Sequence, residues 1–368
     1  MRLASFSALP LAAIAVAAVI GFDSGASPSS TQSPEARAAS ALTDRQLAGA
    51  RIVCGFDGRR APQSLLGAVS AGEIGGVIYF DDNIRNRGQL SRMSTSIQAA
   101  PRPPELAAPV IVSIDQEGGQ VKRLPGPPGA SAEQMGRRGA GFSRAQGAKT
   151  AASRKGFGVN FDLAPGLDVA RPRGFIADQR RAFGSKPGRV AAVGVAFARG
   201  LQARGVAATA KHFPGLGSTA ANTDLRPARI GLKAGALRKV DEAPYRAFVA
   251  AGGKLVMVSS ARYPSLRDPV LPASQSKPII QRELRGRLGF EGVTISDSLE
   301  TPAATKGASA AKVALRAAAA GTDLLLYVHC DAAIRGARAL RNGLASGRLD
   351  RPSFERSVER VLALRAGL

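Results

Sequence analysis

The amino-acid sequence predicts an α/β fold, a (β/α)8 TIM-type barrel in a single domain. The first observation is an alternation along the 368 residues. Eight short apolar runs, rich in β-branched residues, alternate with Ala-, Leu- and Arg-rich stretches long enough for a crossover helix. The second is that several helical stretches end in glycine just before the next strand, a common helix stop signal. An open, doubly wound parallel sheet is the alternative that shares this alternation.

The predicted elements follow one another with neither a linker nor an internal repeat after residue 45. Each apolar run has the composition of a strand buried on both faces. The predicted strands cover residues 51–56, 76–80, 110–114, 159–163, 206–210, 254–260, 292–296 and 323–328. The predicted helices include residues 189–204, 236–251, 275–288 and 309–320, and two last helices at 332–346 and 351–366 close the domain.

Residues 1–40 have the pattern of an export signal followed by a flexible tether. Arg2 precedes an apolar run over residues 9–22, and a stretch rich in Ser, Ala, Pro, Gly and Thr follows. The run is short for a membrane span. We therefore expect an exported protein, extracellular or associated with the cell wall, with a barrel over residues 41–368. An uncleaved signal that tethers the protein to the membrane is the alternative.

The charge of the chain is strongly basic, with 51 Lys and Arg against 27 Asp and Glu, a formal net charge of +24. The basic residues are scattered and only 5% of the residues are aromatic, a pattern that disfavours nucleic-acid binding. A basic surface that attracts anionic polymers, such as those of a bacterial wall, fits better. With 2 His and 2 Cys the chain offers too few ligands for a zinc site. We expect no metal, no cofactor and a monomer.

The two cysteines test the barrel. Cys54 lies near the end of the first predicted strand and Cys330 just past the end of the eighth. These two strands are neighbours in a closed barrel, and an exported chain meets an oxidising compartment. The sequence therefore predicts a Cys54–Cys330 disulfide, with two unrelated buried thiols as the alternative.

Charged residues collect at the predicted carboxyl ends of several strands. Asp115 and Glu117 follow the third strand, Lys211 and His212 follow the fifth, and Asp297 follows the seventh. A single acidic residue at such a place is often a helix cap, and this is the alternative for Asp297. Several charges on one rim of a barrel favour a site that binds a polar substrate.

Three motifs at these strand ends resemble a known family. Residues 115–123 read Asp-Gln-Glu-Gly-Gly-x-Val-x-Arg, residues 211–217 read Lys-His-Phe-Pro-Gly-x-Gly, and residues 295–297 read Ile-Ser-Asp. In this order they resemble glycoside hydrolase family 3, and more narrowly its single-domain bacterial β-N-acetylhexosaminidases. The resemblance implies a barrel and a retaining mechanism without a cofactor.

The same resemblance implies roles for individual residues. It makes Asp297 the catalytic nucleophile, and Lys211 near it is expected to hold the carboxylate ionised. It implies substrate binding by Asp115, Arg123, Arg181, Lys211 and His212.

The sequence departs from the family where the proton donor is expected. Family members carry this histidine in an Asp-Ser-His triplet after the fifth strand, and the aligned residues here are Asn222, Thr223 and Asp224. His329 on the eighth strand is no obvious substitute. Asp224 is the candidate general acid, provided that burial and the charge of Asp297 raise its pKa. A turn or helix-cap residue is the alternative for Asp224.

The sequence thus predicts an exported hydrolase that removes terminal β-linked N-acetylglucosamine, or a related sugar, from glycoconjugates or wall fragments. Two alternatives remain open. One is a catalytically impaired protein that binds wall carbohydrate, and the other is a hydrolase of the β-glucosidase type.

Overall fold

The computed structural model describes residues 32–367, and its centre is a ring of eight parallel strands. The strands are β1 (Ile52–Cys54), β2 (Gly76–Tyr79), β3 (Ile111–Ile114), β4 (Gln116–Gly118), β5 (Val121–Lys122), β6 (Phe161–Asp162), β7 (Ala207–Phe213), β8 (Leu255–Val258), β9 (Val293–Ser296) and β10 (Leu325–Tyr327). The order around the sheet is β10-β1-β2-β3-β6-β7-β8-β9, and a parallel bridge between Ile295 and Leu324 joins its two ends. The predicted barrel is confirmed.

Helices surround this ring on its outer side. The α-helices are α1 (Pro34–Ala41), α2 (Asp44–Ala50), α3 (Gln63–Ser70), α4 (Arg87–Gln98), α5 (Ala132–Arg138), α6 (Ala140–Lys155), α7 (Phe175–Asp178), α8 (Pro187–Gln202), α9 (Ala234–Ala236), α10 (Ala243–Ala250), α11 (Pro302–Thr305), α12 (Ala310–Ala320), α13 (Cys330–Ala345) and α14 (Arg351–Ala366). Short 3₁₀ turns lie at Asp81–Asn83, Pro104–Leu106, Pro264–Leu266 and Ala273–Gln275, and π-helical segments at Leu237–Asp241 and Pro278–Arg287.

Helix α12 shows the start and stop chemistry that the sequence predicts. The hydroxyl of Ser309 accepts a hydrogen bond from the backbone N–H of Lys312 and so caps the first turn. Gly321 ends the helix with a φ of 96°, a left-handed conformation that favours glycine. In contrast, the predicted helix over residues 236–251 is interrupted by the π-helical segment Leu237–Asp241, and Pro278–Arg287 is π-helical rather than α-helical.

Strand β7 is longer than predicted, and this extension positions part of the site. The prediction ended at residue 210, whereas the strand continues through Lys211 and His212 to Phe213. Its neighbours on both sides continue the ladder: Lys211 N–H donates to the Pro165 carbonyl at 3.1 Å, and Ser259 N–H donates to the Phe213 carbonyl at 2.9 Å. Lys211 and His212 are therefore held on a strand rather than on a loop.

A small hairpin after β3 was not predicted. Strands β4 and β5 pair antiparallel, and Gly118 and Gly119 at their turn adopt positive φ values of 93° and 64°. These conformations favour glycine, and they turn the chain back over the end of β3. The pair of glycines in the 115–123 motif therefore makes a tight turn.

The folded body begins earlier than the predicted boundary at residue 41. Helix α1 starts at Pro34, and its Ala39 is buried in one core cluster with Phe354 and Val358 of α14. Residues 34–40 therefore belong to the folded body, and the predicted tether is wrong for them. The predicted export signal lies outside the described residues. Within residues 32–367, no helix combines the length and apolar character needed to cross a membrane.

The barrel interior is filled by apolar side chains, so only one end is open to a ligand. The interior cluster takes residues from β1, β2, β3, β6, β7, β8, β9 and β10 and includes Val361 and Leu364 of α14. Two further clusters lie between the strands and the outer helices. As expected for this fold, functional side chains are confined to the carboxyl ends of the strands.

The predicted disulfide is present between Cys54 at the end of β1 and Cys330 at the start of α13. Its cysteines are 276 residues apart in sequence, and their Cα atoms are 5.1 Å apart. The pairing β1–β10 brings them together, because Cys54 is in register with Tyr327.

Replacing both cysteines with serine is expected to lower the free energy of unfolding by about 2–5 kcal/mol, since the bond restricts the unfolded chain. Urea denaturation of the wild type and of the Cys54→Ser/Cys330→Ser variant measures this difference. Reduction of the wild type by dithiothreitol provides the matched comparison and should give a similar loss. Equal stability of all three samples would contradict the prediction.

Candidate active site

The carboxyl ends of the strands surround a cavity of about 540 Å³. Every residue that the sequence analysis placed in the site lines this cavity, namely Asp115, Arg123, Arg181, Lys211, His212, Asp224 and Asp297. They come from segments that follow β3, β5, β6, β7 and β9 or lie within β7, so only the closed ring brings them together.

A network of two cations and two carboxylates forms one wall of the cavity. The Nζ atom of Lys211 lies 2.6 Å from Asp115 Oδ1 and 2.8 Å from Glu117 Oε1. Arg181 donates to both oxygens of Glu117, from Nε at 2.9 Å and from Nη2 at 2.7 Å. Such paired, charge-assisted hydrogen bonds fix side chains more firmly than single neutral ones.

The network holds its groups charged. Burial by itself would raise the pKa of Glu117, but the charges of Arg181 and Lys211 outweigh it and hold that pKa well below its ordinary value. Burial likewise opposes the charge on Lys211, and Asp115 followed by Glu117 raises the pKa of its ammonium group. The cavity therefore presents fixed charges near neutral pH.

The partners of Lys211 differ from those expected. The sequence analysis assigned its charge to Asp297, whereas its ammonium group hydrogen-bonds Asp115 and forms an ion pair with Glu117. Glu117 had no assigned role. Its position two residues after Asp115 on an extended segment was the available signal, because alternate residues of a strand point to the same side. What the sequence did not reveal is that Arg181 reaches back to it from the loop after β6.

Replacing Glu117 with glutamine is expected to lower the free energy of unfolding by about 3–5 kcal/mol, because it leaves the charges of Arg181 and Lys211 undercompensated in a buried place. Urea denaturation at pH 7 measures the effect. Glu355→Gln is the matched control, since Glu355 pairs with Arg351 on the surface, where an ion pair contributes about 1 kcal/mol or less.

The Glu117 effect should depend on pH. Its pKa is lowered in the folded protein relative to the ordinary value of 4.5, so its charge stabilises the fold fully above that value. The difference between wild type and variant should shrink as the pH falls below 4.5. A difference that is absent at pH 7, or that grows on acidification, would contradict this account.

His212 is oriented from behind by Asp168, which is fully buried. The Nδ1 atom of His212 lies 2.7 Å from Asp168 Oδ2, and Asp168 Oδ1 accepts the backbone N–H of Leu216 at 2.6 Å. The other ring nitrogen, Nε2, is thereby left for a ligand in the cavity. Asp168 lies in the loop after β6, and the sequence gave no indication that it would face His212.

Asp297 directly follows β9 and lies half-buried in the cavity wall. Its backbone N–H donates to the Val258 carbonyl of β8 at 3.0 Å, and its Oδ1 accepts the backbone N–H of Ser298 at 2.9 Å. The helix that follows, α11, is capped by Thr301, whose hydroxyl accepts the N–H of Ala304. Asp297 is therefore not the cap of this helix, and the alternative reading of it is wrong.

Asp224 lies on the loop after β7, at the solvent-exposed mouth of the cavity. Its backbone N–H donates to the Asn222 side chain at 3.0 Å, which fixes the turn. Protein atoms around the carboxyl group and the charge of Asp297 raise the pKa of Asp224 above its ordinary value. This is the direction that a general acid needs, although the exposure of the residue moderates the effect.

His329 also lines the cavity, although the sequence analysis gave it no role. It follows β10, and its Nδ1 lies 3.0 Å from Glu300 Oε1. Neither residue belongs to a motif, so only the closure of the ring between β9 and β10 brings them together. Within residues 32–367, no group of three or more His, Cys, Asp or Glu side chains is arranged to hold a metal ion.

Comparisons with known proteins agree with this geometry. A family model described as the N terminal domain of glycosyl hydrolase family 3 matches residues 46–364. A protein of Arthroderma benhamiae, named an uncharacterized secreted glycosyl hydrolase, is 37% identical over 330 residues, which are 87% of this chain and 93% of that protein. A beta-hexosaminidase of Xanthomonas oryzae pv. oryzae is 35% identical over 271 residues, covering 70% of this chain and 77% of that protein.

A solved structure shares the fold. The glycoside hydrolase family 3 beta-N-acetylglucosaminidase from Paenibacillus sp. superimposes with a TM-score of 0.80 at 32% identity. The match covers 89% of this chain and 63% of that one, so this chain spans less than two thirds of its length. The family match covers most of the chain and includes every residue of the cavity. The chain therefore belongs to glycosyl hydrolase family 3 and is a glycosidase.

Proposed function

We propose that the protein is an exported, retaining hydrolase that removes terminal β-linked N-acetylglucosamine, or a closely related sugar, from wall fragments or other glycoconjugates. The observation that carries this proposal is the cavity itself. It combines one carboxylate without a cation partner among the described ion pairs, Asp297, with a second carboxylate of raised pKa, Asp224. Retaining glycosidases use such a pair as nucleophile and proton donor.

In the first step Asp297 attacks the anomeric carbon while Asp224 gives its proton to the departing glycosidic oxygen. A covalent glycosyl-Asp297 intermediate forms, and the leaving group departs as an alcohol. In the second step Asp224, now ionised, removes a proton from water as the water attacks the anomeric carbon, which releases the sugar and restores both carboxyl groups. No cofactor takes part.

The network around Lys211 serves to bind the terminal sugar. Asp115, Arg123, Arg181 and Lys211 present charged hydrogen-bonding groups to the cavity, and these suit sugar hydroxyl groups. His212, oriented by Asp168, adds a ring nitrogen.

The choice of N-acetylglucosamine rests on two relatives, which are named beta-hexosaminidase and beta-N-acetylglucosaminidase. Export is supported by the apolar run over residues 9–22 and by the Arthroderma benhamiae relative that is named as secreted. The net charge of +24 favours retention at anionic wall polymers, and we propose a monomer.

A panel of p-nitrophenyl glycosides tests the proposal directly. We expect the purified protein to release p-nitrophenol fastest from the β-N-acetylglucosaminide and far more slowly from the β-glucoside and the α-linked anomers. The reverse order for the two β-glycosides would support the β-glucosidase alternative.

The replacement of the family's Asp-Ser-His triplet by Asn222, Thr223 and Asp224 favours a second candidate, a protein that binds wall carbohydrate without cleaving it. This candidate predicts thermal stabilisation by N-acetylglucosamine, because a ligand that binds only the folded state stabilises it. It also predicts no release of p-nitrophenol from any substrate in the panel.

A further inference from the structure

One side of the cavity has no role in the chemistry proposed above. The groups assigned to the terminal sugar come from β3, β5, the loop after β6, and β7. On the other side of Asp297, the wall is formed by Glu300 after β9, His329 after β10 and Phe80 after β2. These three residues belong to none of the motifs in the sequence.

Glu300 and His329 form a fixed pair. One oxygen of Glu300, Oε2, accepts the backbone N–H groups of Val328 and of His329, the latter at 2.9 Å. The other oxygen, Oε1, lies 3.0 Å from Nδ1 of His329. With Nδ1 occupied by the carboxylate, Nε2 is the ring nitrogen left for a ligand, and 63% of the imidazole side chain is exposed.

The backbone that carries this pair is anchored. Cys330, the next residue, is bonded to Cys54 of β1 and begins the long helix α13. A side chain that is fixed by hydrogen bonds on an anchored backbone loses little freedom when it binds a ligand. The anchoring therefore suits His329 to a binding role.

Phe80 extends the same wall. It lines the cavity and is half-buried, and the Arg123 guanidinium lies 6.0 Å from the centre of its ring. A Cβ atom at Gly55 would lie 2.7 Å from Phe80 Cε2 and would also overlap the carbonyl oxygen of Val328. The lack of a side chain at Gly55 thus lets the ring pack against the backbone that precedes His329.

The combination of an aromatic ring and fixed polar groups is typical of a sugar-binding wall, because a pyranose has an apolar C–H face and a rim of hydroxyl groups. A cavity of about 540 Å³ is within the range that encloses ligands larger than one pyranose ring. The space beside Phe80 and His329 is therefore available to a second unit.

We propose that Phe80 and the Glu300–His329 pair form the subsite for the sugar unit that leaves, so that the substrate is a di- or oligosaccharide rather than a simple glycoside. This inference rests on the proposed function. Phe80 packs against the apolar face of the leaving sugar, and His329 Nε2 hydrogen-bonds one of its hydroxyl groups. Glu300 is a positioning residue, since it acts by orienting His329.

Calorimetric titration of the full chain carrying Asp297→Asn tests the subsite without turnover. The ligands are N-acetylglucosamine and its β-1,4-linked disaccharide. We expect the disaccharide to bind about tenfold or more tightly than the monosaccharide, because it alone fills both halves of the cavity. Adding Phe80→Ala, His329→Ala or Glu300→Gln should remove about tenfold of the disaccharide affinity and leave monosaccharide affinity within about twofold.

Asp331→Asn is the matched control, because it removes a negative charge from the exposed first turn of α13 outside the cavity and should change neither affinity. Since Glu300→Gln also disturbs backbone hydrogen bonds, His329→Ala at an exposed side chain keeps the test decisive if the former variant unfolds. The inference is overturned if both sugars bind equally well, or if the variants weaken both alike. Failure of both sugars to bind would overturn the proposed function as well.

Discussion

Replacing Asp297 with asparagine is expected to reduce the release of p-nitrophenol from the β-N-acetylglucosaminide by about 10⁴-fold or more, the order of loss seen when a nucleophile is removed. The amide has nearly the same shape as the carboxylate but cannot form the glycosyl intermediate. Initial rates at saturating substrate measure the loss. Asp297 Oδ1 accepts the N–H of Ser298, and an amide oxygen at the same place preserves that bond. The variant should therefore stay folded.

Two controls separate this effect from a general disturbance. Asp331→Asn makes the same chemical change outside the cavity and should retain full activity. The melting temperature of Asp297→Asn should match that of the wild type. Substantial residual turnover in Asp297→Asn would exclude it as the nucleophile and would end the retaining mechanism proposed here.

Replacing Asp224 with asparagine is expected to lower the rate by about 10²–10⁴-fold for leaving groups that need a proton, and by much less for a strongly acidic phenol. An acidic phenol departs as an anion, so protonation contributes little to its transition state. Aryl β-N-acetylglucosaminides that differ in the pKa of the phenol measure this dependence. A uniform loss across the series would instead indicate a turn residue that shapes the loop.

The pH profile gives a second readout for Asp224. Burial and the charge of Asp297 raise its pKa, so the proton needed in the first step is retained to higher pH than an ordinary aspartate allows. The wild-type kcat/KM for a poor leaving group should fall as the pH rises through this pKa. Asp224→Asn should abolish that fall, because the variant has no proton to lose.

The sequence was informative wherever a local pattern carries the structural signal. The eight barrel strands were each found near their predicted positions, because strands buried on both faces appear as short apolar runs. The disulfide and the cavity residues followed from the same reasoning, since chain order alone places the carboxyl ends of parallel strands on one rim.

Interactions between distant segments were not predictable in this way. The pairing of Lys211 with Asp115 and Glu117, the support of His212 by Asp168 and the Glu300–His329 pair each join segments that only the closed barrel makes adjacent. The extension of β7 depends on backbone partners in the loops after β6 and β8, and no residue within β7 indicates them.

The sequence by itself therefore determined the barrel, the disulfide and the set of charged side chains at its open end, because each is encoded by residues whose spacing matches a repeating unit. Only the tertiary structure decided which charges neutralise one another and which remain for a substrate. The physical reason is that a pKa and a hydrogen bond depend on atoms within a few ångströms, and in this fold those atoms come from different strands.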